Sequence, residues 1–181
     1  MSEAREAACV TSGIEPADTA SGFACGKRPL DDYFARHALP NDRAGIGRAY
    51  VARRSDADDD VLPRVLGFYT LSMASVAPET LASASAAKLP RYPMPVALIG
   101  RLAVDTRARG RRLGEALLMD AFQRVLAAAD VVGCIGVIVD AKDDDAVRFY
   151  EKYDFVVVCA DGWPRRMFVA IGVVRGAFAS E

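Results

Sequence analysis

The stretch Val96-Ala97-Leu98-Ile99-Gly100-Arg101-Leu102-Ala103-Val104-Asp105-Thr106-Arg107-Ala108-Arg109-Gly110-Arg111-Arg112-Leu113-Gly114 decides the fold. Val96 to Val104 is an apolar run interrupted only by Gly100 and Arg101, which reads as a central, two-side-buried strand. The Arg- and Gly-rich segment that follows opens a helix predicted from about Arg112 to Asp130. Leu113, Leu117, Ala121, Val125 and Ala128 mark one face of it, widened by Leu118, Phe122 and Leu126, at helical spacing.

Downstream, Gly133 resets the chain and Cys134 to Val139 reads as another buried strand. Asp143, Asp144 and Asp145 supply capping carboxylates for a helix from about Asp144 to Lys152. Phe155 to Val158 and Met167 to Val174 then read as the last strands. Upstream, Pro90, Pro93 and Pro95 force an extended approach to the central strand. Gly47–Arg53 and Val65–Ser72 read as a strand pair with Asp56–Asp60 at the hairpin tip. Pro78, Glu79 and Thr80 open a short helix. Leu30–Leu39 reads as a helix with Asp31 and Asp32 at its positive end, and Gly22–Gly26 as a turn. Strand, loop, long helix, strand, short helix, strand is a mixed α/β (α+β) pattern with a parallel crossover. The 181 residues read as one domain.

Composition narrows the chemistry. Hydrophobic residues make up 52% and charged residues 26%, with a net charge of −1, as in globular chains. The longest apolar run, Val131 to Val139, is too short to span a bilayer, and Met1–Glu6 carries acids and lacks the apolar core of a secretory leader. The expectation is a cytoplasmic protein. His37 is the one histidine, and Cys9, Cys25, Cys134 and Cys159 form no C-x-x-C pair, which argues against a metal centre. A His-dependent hydrolase would have to rest on His37, which has no nucleophile motif nearby.

Arginines outnumber lysines by 19 to 4, and Arg107, Arg109, Arg111 and Arg112 crowd the strand-to-helix turn. A helix start exposes unpaired N–H groups that suit a diphosphate, and arginine forks suit phosphate. The residues alone leave two readings open, an anion site or merely a turn. There is no G-x-x-x-x-G-K-S/T, which excludes a P-loop NTPase, and no G-x-G-x-x-G after the first strand, which argues against a Rossmann site. Taken singly, Tyr150 is more readily a packed aromatic than an acid.

Together, the two elements resemble the GNAT superfamily of acetyl-CoA-dependent N-acetyltransferases. The family's Q/R-x-x-G-x-G/A turn falls on Arg109, Gly110, Arg111, Arg112, Leu113 and Gly114, and its N-x-x-A-x-x-x-Y segment on Asp143, Ala146 and Tyr150. Phe23-x-Cys25-Gly26 with Leu30-Asp31, Tyr69-Thr70-Leu71-Ser72, and Leu89-Pro90-x-x-Pro93-x-Pro95 before Gly100–Asp105 are similar to a narrower branch, the GNAT toxins of type II toxin–antitoxin systems. The resemblance implies a GNAT fold, with a mixed central sheet flanked by helices and an acetyl-CoA-binding strand-loop-helix.

It further implies acetylation of the amino group of aminoacyl-tRNA, blocking translation. The alternatives are a GNAT acting on a small amine or a protein N-terminus, and a non-catalytic acyl-CoA-binding module. The implied roles are Tyr150 as the acid for the leaving thiolate, and Leu102, Ala103, Val104, the Arg109–Gly114 turn and Asp143 as coenzyme contacts. Arg36, Arg48 and Arg91, together with Arg53, Arg54, Arg165 and Arg166, are candidates for the acceptor surface. The branch implies a small ribbon-helix-helix antitoxin and a homodimer, without metal or membrane. The sequence departs from the pattern at Arg112, which replaces the inner glycine and is expected in ordinary helical dihedrals. It also departs at Asp143, which replaces Asn, and at Asp154, which replaces the glycine before Phe155.

Overall fold

Val96–Val104 does become a strand, and the helix after it begins at Leu113. The computed structural model describes residues 10–55, 62–84 and 88–179. In chain order these form β1 (Val10–Gly13), α1 (Pro16–Thr19), α2 (Arg28–Arg36), α3 (Ala38–Arg43), β2 (Arg48–Arg53), β3 (Val65–Val76) and α4 (Pro78–Leu81). There follow β4 (Met94–Val104), α5 (Leu113–Ala129), β5 (Gly136–Ala141), α6 (Asp144–Glu151), β6 (Val156–Cys159), β7 (Arg165–Ala170) and α7 (Ile171–Phe178). The sheet order is β1-β2-β3-β4-β5-β7-β6. β4 and β5 are parallel, with Ala97–Ile99 opposite Val137–Val139, whereas β1/β2, β2/β3, β5/β7 and β6/β7 are antiparallel. The sheet is therefore mixed, as expected. The Asp56–Asp60 tip, Cys9 and residues 85–87 lie outside the described residues.

Two expectations are corrected, and two elements are new. The single helix over Leu30–Leu39 is two helices that break at His37. Pro40 is the cause: in one continuous helix its ring would meet the Arg36 carbonyl and its missing N–H would break the ladder, whereas in the first turn of α3 neither matters. The strand expected to reach Val174 ends at Ala170 and turns into α7. There Val174 is buried, with Ile171 and Phe178 half-buried, which is helical spacing within a short apolar run that also fits a strand. β1 and α1 have no counterpart in the sequence reading. β1 reads Val-Thr-Ser-Gly and pairs only with β2, so it has no alternating pattern to betray it.

The chain divides into two compact units, residues 1–72 with 101–121 and residues 73–100 with 122–181. The first is built on an aromatic cluster. Phe34 lies 4.9 Å from Phe23 and 4.7 Å from Phe68 between ring centroids, with Val51 and Ala103 alongside. Gly67 lets the backbone close up: a Cβ there would stand 2.8 Å from both the Ala103 carbonyl oxygen and Leu117 Cδ1. The second unit packs Val96, Ile138 and Phe168 with Met94, Val76 and Leu81. Phe155 closes that unit against Phe122, at 5.9 Å between centroids.

Candidate active site

In the first unit, the end of β4 runs into a buried carboxylate. Asp105 is fully buried and accepts four hydrogen bonds: from the Ala24 N–H (3.0 Å), the Arg107 N–H (2.9 Å), and Arg107 Nε and Nη2 (both 2.9 Å). Burial alone would raise its pKa, but the Arg107 guanidinium and these N–H groups outweigh it and hold the carboxyl below its usual range. Asp105 also caps a short 3-10 turn, Thr106–Ala108. The Thr106 N–H donates to the Ala24 carbonyl (3.0 Å), Arg107 Nη2 to the Gly22 carbonyl (3.1 Å), and Arg109 Nη2 to the Cys25 carbonyl (2.7 Å). Asp31, in the first turn of α2, accepts from the Cys25 N–H at 2.7 Å. The segment 22–25 is thus bound to the turn after β4 along its length.

The turn itself carries a correction. Arg112 is not in helical dihedrals; its φ is +56°, and that of Gly110 is +79°. The backbone is left-handed at this position although the residue is arginine, at a cost of about 1–2 kcal/mol for an L side chain. α5 then starts at Leu113, and the first turn of a seventeen-residue helix leaves its N–H groups without intrahelical partners. These N–H groups fit a diphosphate.

The arginine cluster does less than its charge suggests. Arg107 is held by Asp105, Arg109 by the Cys25 carbonyl, and Arg112 by Glu115 at 2.8 and 2.9 Å. Among the described residues only Arg111 of the four has no such partner. Of the strand residues, Ala103 is buried, while Leu102 and Val104 are half-buried on alternate positions.

In the second unit, Asp143 takes on a local task. It is the N-cap of α6, its Oδ1 accepting from the Ala146 N–H at 2.8 Å. Tyr150 lies in the last turn of α6, buried between Phe149 (5.1 Å) and Phe155 (5.2 Å) in edge-on contacts. Burial pushes its phenol well above the ordinary tyrosine range, so the hydroxyl is protonated at neutral pH. Among the described residues no group forms a hydrogen bond with that hydroxyl. The turn after α6 keeps a second left-handed residue, Asp154 at φ +64°, a conformation aspartate tolerates better than most.

The candidate acceptor arginines separate into occupied and open. Arg53 pairs with the buried Asp18 and donates to Ser12 and to the Gly13 carbonyl (2.9 Å), so it is structural. Arg54 donates to the Leu62 carbonyl (2.7 Å), and Arg166 grips Asp140 through two bonds (2.9 and 3.0 Å). Arg48 is tied to Asp42 (3.1 Å to its carbonyl, 3.4 Å to its carboxylate), and Arg165 lies over the Trp163 ring at 4.4 Å. Arg36 and Arg91 are exposed, with no hydrogen bond or ion pair among the described residues. Sequence reasoning placed Asp105 and Arg101 inside the Gly100–Asp105 match but gave neither a role. The apolar strand ending directly in Asp-x-Arg was the available signal for Asp105, and Arg101, an arginine inside an apolar run, was its own signal.

The acetyltransferase (GNAT) domain pattern matches residues 47–157. A tRNA-acetylating toxin of Mycobacterium tuberculosis is 38% identical over 148 residues, 82% of this chain and 84% of the relative. The crystal structure of AtaTR bound with acetyl-CoA superposes with a TM-score of 0.76 at 26% identity, covering 94% of this chain and 98% of that one. AtaT complexed with acetyl-methionyl-tRNAfMet does so with a TM-score of 0.78 at 25% identity, covering 94% of this chain and 99% of that one. The match over residues 47–157, which takes in β4, the turn and α5, and the 38% identical relative show that this chain belongs to the GNAT acetyltransferases.

Proposed function

We propose that this chain transfers the acetyl group of acetyl-CoA to the α-amino group of aminoacyl-tRNA, and so acts as a toxin that blocks translation. The observation that carries the reading is the turn before α5. Two left-handed residues, Gly110 and Arg112, lead into the free N–H groups of a long helix, with Arg111 open beside them. The tRNA-acetylating relative and the AtaT complex supply the acceptor class.

In this reading, the Arg109–Gly114 turn holds the diphosphate, and the main chain of Leu102, Ala103 and Val104 runs along the pantetheine, with an N–H polarising the thioester carbonyl. The coenzyme brings the activated acetyl group. The attacking α-amino group has a pKa of about 7.7–8.0, so a useful fraction is neutral near pH 7.5 and no strong base is required of the protein. A C–N bond forms and the C–S bond breaks; the thiolate takes a proton from Tyr150, and the phenolate so formed recovers, through solvent, the proton that the acylated nitrogen releases, leaving an amide and the free thiol of coenzyme A. An un-ionised phenol can offer its hydrogen to the departing sulfur. Asp143 orders α6, which carries Tyr150. Arg36, Arg48 and Arg91 contribute to the acceptor surface, a ribbon-helix-helix antitoxin and a second copy of the chain are the protein partners, and the cytoplasm is the compartment. Among the described residues no helix is long and apolar enough to cross a membrane.

The test is incubation with labelled acetyl-CoA and total charged tRNA. Label on the aminoacyl group is expected; label only on small amines or peptide N-termini would overturn the acceptor. Tyr150→Phe is expected to lower turnover by about 10²-fold or more while acetyl-CoA affinity is kept. Unchanged single-turnover acetylation would remove Tyr150 from the reaction.

A further inference from the structure

Most arginines of the first unit are engaged by carboxylates or carbonyls, as described above. Arg101 is not. It stands in β4, half-buried, with its guanidinium carbon 3.5 Å from the centroid of the Tyr33 ring. Among the described residues no carboxylate or carbonyl accepts from it. A guanidinium laid flat on a ring uses its face and leaves its N–H donors, which lie in its plane, for another partner. Partial burial of a cation without an anion is unfavourable, so the site is one that an anion would complete.

Tyr33 is held in place from its other contacts, stacked on Phe68 at 6.4 Å and 16°. Arg36 and His37 follow it by three and four residues, the positions that share a helix face, and both are exposed. The His37 ring lies 6.3 Å from that of Tyr33. The acids of the same helix are engaged elsewhere: Asp31 with the Cys25 N–H, and Asp32 with Arg28 at 3.5 Å. The face is therefore cationic, with Arg101 held flat on the Tyr33 ring, a composition that suits the backbone phosphates of single-stranded nucleic acid.

The geometry points to Arg101, Tyr33, Arg36 and His37 as the patch that takes backbone phosphates of the unpaired 3′ end of the acceptor RNA. This rests on the aminoacyl-tRNA reading and gives a role to Arg101, a residue to which the sequence assigned none. The phosphates of coenzyme A share the same chemistry, and the experiment separates the two sources.

Full-length protein and the variants Arg101→Gln and Arg36→Gln are titrated with unacylated tRNA over a salt series, and separately with acetyl-CoA. Each variant is expected to bind tRNA about tenfold more weakly at low salt, with a log–log salt slope shallower by about 0.7 and unchanged acetyl-CoA affinity. Arg36 is exposed, so its variant keeps the test alive if Arg101→Gln folds poorly. Native tRNA affinity and slope in folded variants would overturn the patch alone. Weakened acetyl-CoA binding with native tRNA binding would assign the phosphates to the coenzyme and overturn it too. Failure of the unaltered protein to bind any tRNA would remove the acceptor reading and the patch together.

Discussion

Replacing Asp105 by Asn removes one charge from a site sealed from water. Four N–H groups at 2.9–3.0 Å converge on its two oxygens. An amide accepts through one oxygen only, and its NH2 would face a donor. Breaking one side of a buried pair costs about 3–5 kcal/mol. Arg107 is 49% exposed and can rehydrate, so the lower end, about 3 kcal/mol, applies. In a domain of this size each kcal/mol moves the midpoint by about 2–4 °C, so melting should fall by about 6–12 °C. Because the same carboxylate holds the turn and the segment 22–25 together, the KM for acetyl-CoA should rise more than kcat falls. The acid limb gives a second readout. The Asp105 carboxyl lies below its ordinary 3.8 in the folded protein, and so does that of Asp18. A depressed carboxyl contributes stability that is complete above the unfolded value near 3.9 and is lost as pH falls through the folded value. Below about pH 4 the parent should lose stability more steeply than Asp105→Asn, with Asp18 accounting for the slope that remains. Calorimetry from pH 3 to 7 checks both. Melting within about 2 °C of the parent, or parallel acid limbs, would refute the reasoning.

At Arg112 the left-handed backbone should tolerate glycine and reject β-branching. Arg112→Val is expected to cost about 1–2 kcal/mol. Arg112→Gly should be neutral to about 1 kcal/mol stabilising, since relief of strain is offset by chain entropy and by the exposed Glu115 pair. Urea denaturation ranks the three, and a valine variant as stable as the parent would contradict the geometry. Gly67→Ala places a methyl 2.8 Å from the Ala103 carbonyl oxygen, a backbone atom with little room to yield. A loss of about 1–3 kcal/mol is expected, and a neutral result would show that β3 and β4 are free to part there.

What the sequence reveals follows physical strength of pattern. The β4 run, the α5 stripe and the Asp143 cap are legible because burial and capping impose residue types at fixed spacing. β1 and α7 are not, since an edge strand needs no alternation and a short apolar run suits either element. The turn around Gly110 is found from its residues, but the dihedrals of Arg112 are not: residue identity favours helix there, and the surrounding fold overrides it. The charge of the arginine cluster is overestimated for a similar reason. Asp105, Glu115 and the Cys25 carbonyl become neighbours only after folding.

The stitching of residues 22–25 to the turn after β4 bears on where this enzyme can be cut. The domain pattern begins at residue 47, yet Gly22, Ala24 and Cys25 supply the partners of Arg107, Asp105 and Arg109. A fragment trimmed to the recognised boundaries would keep every residue of the coenzyme motif and lose the brace that shapes it. If the turn holds the coenzyme as proposed, the shortest piece expected to bind acetyl-CoA starts ahead of Gly22, well upstream of the recognised domain.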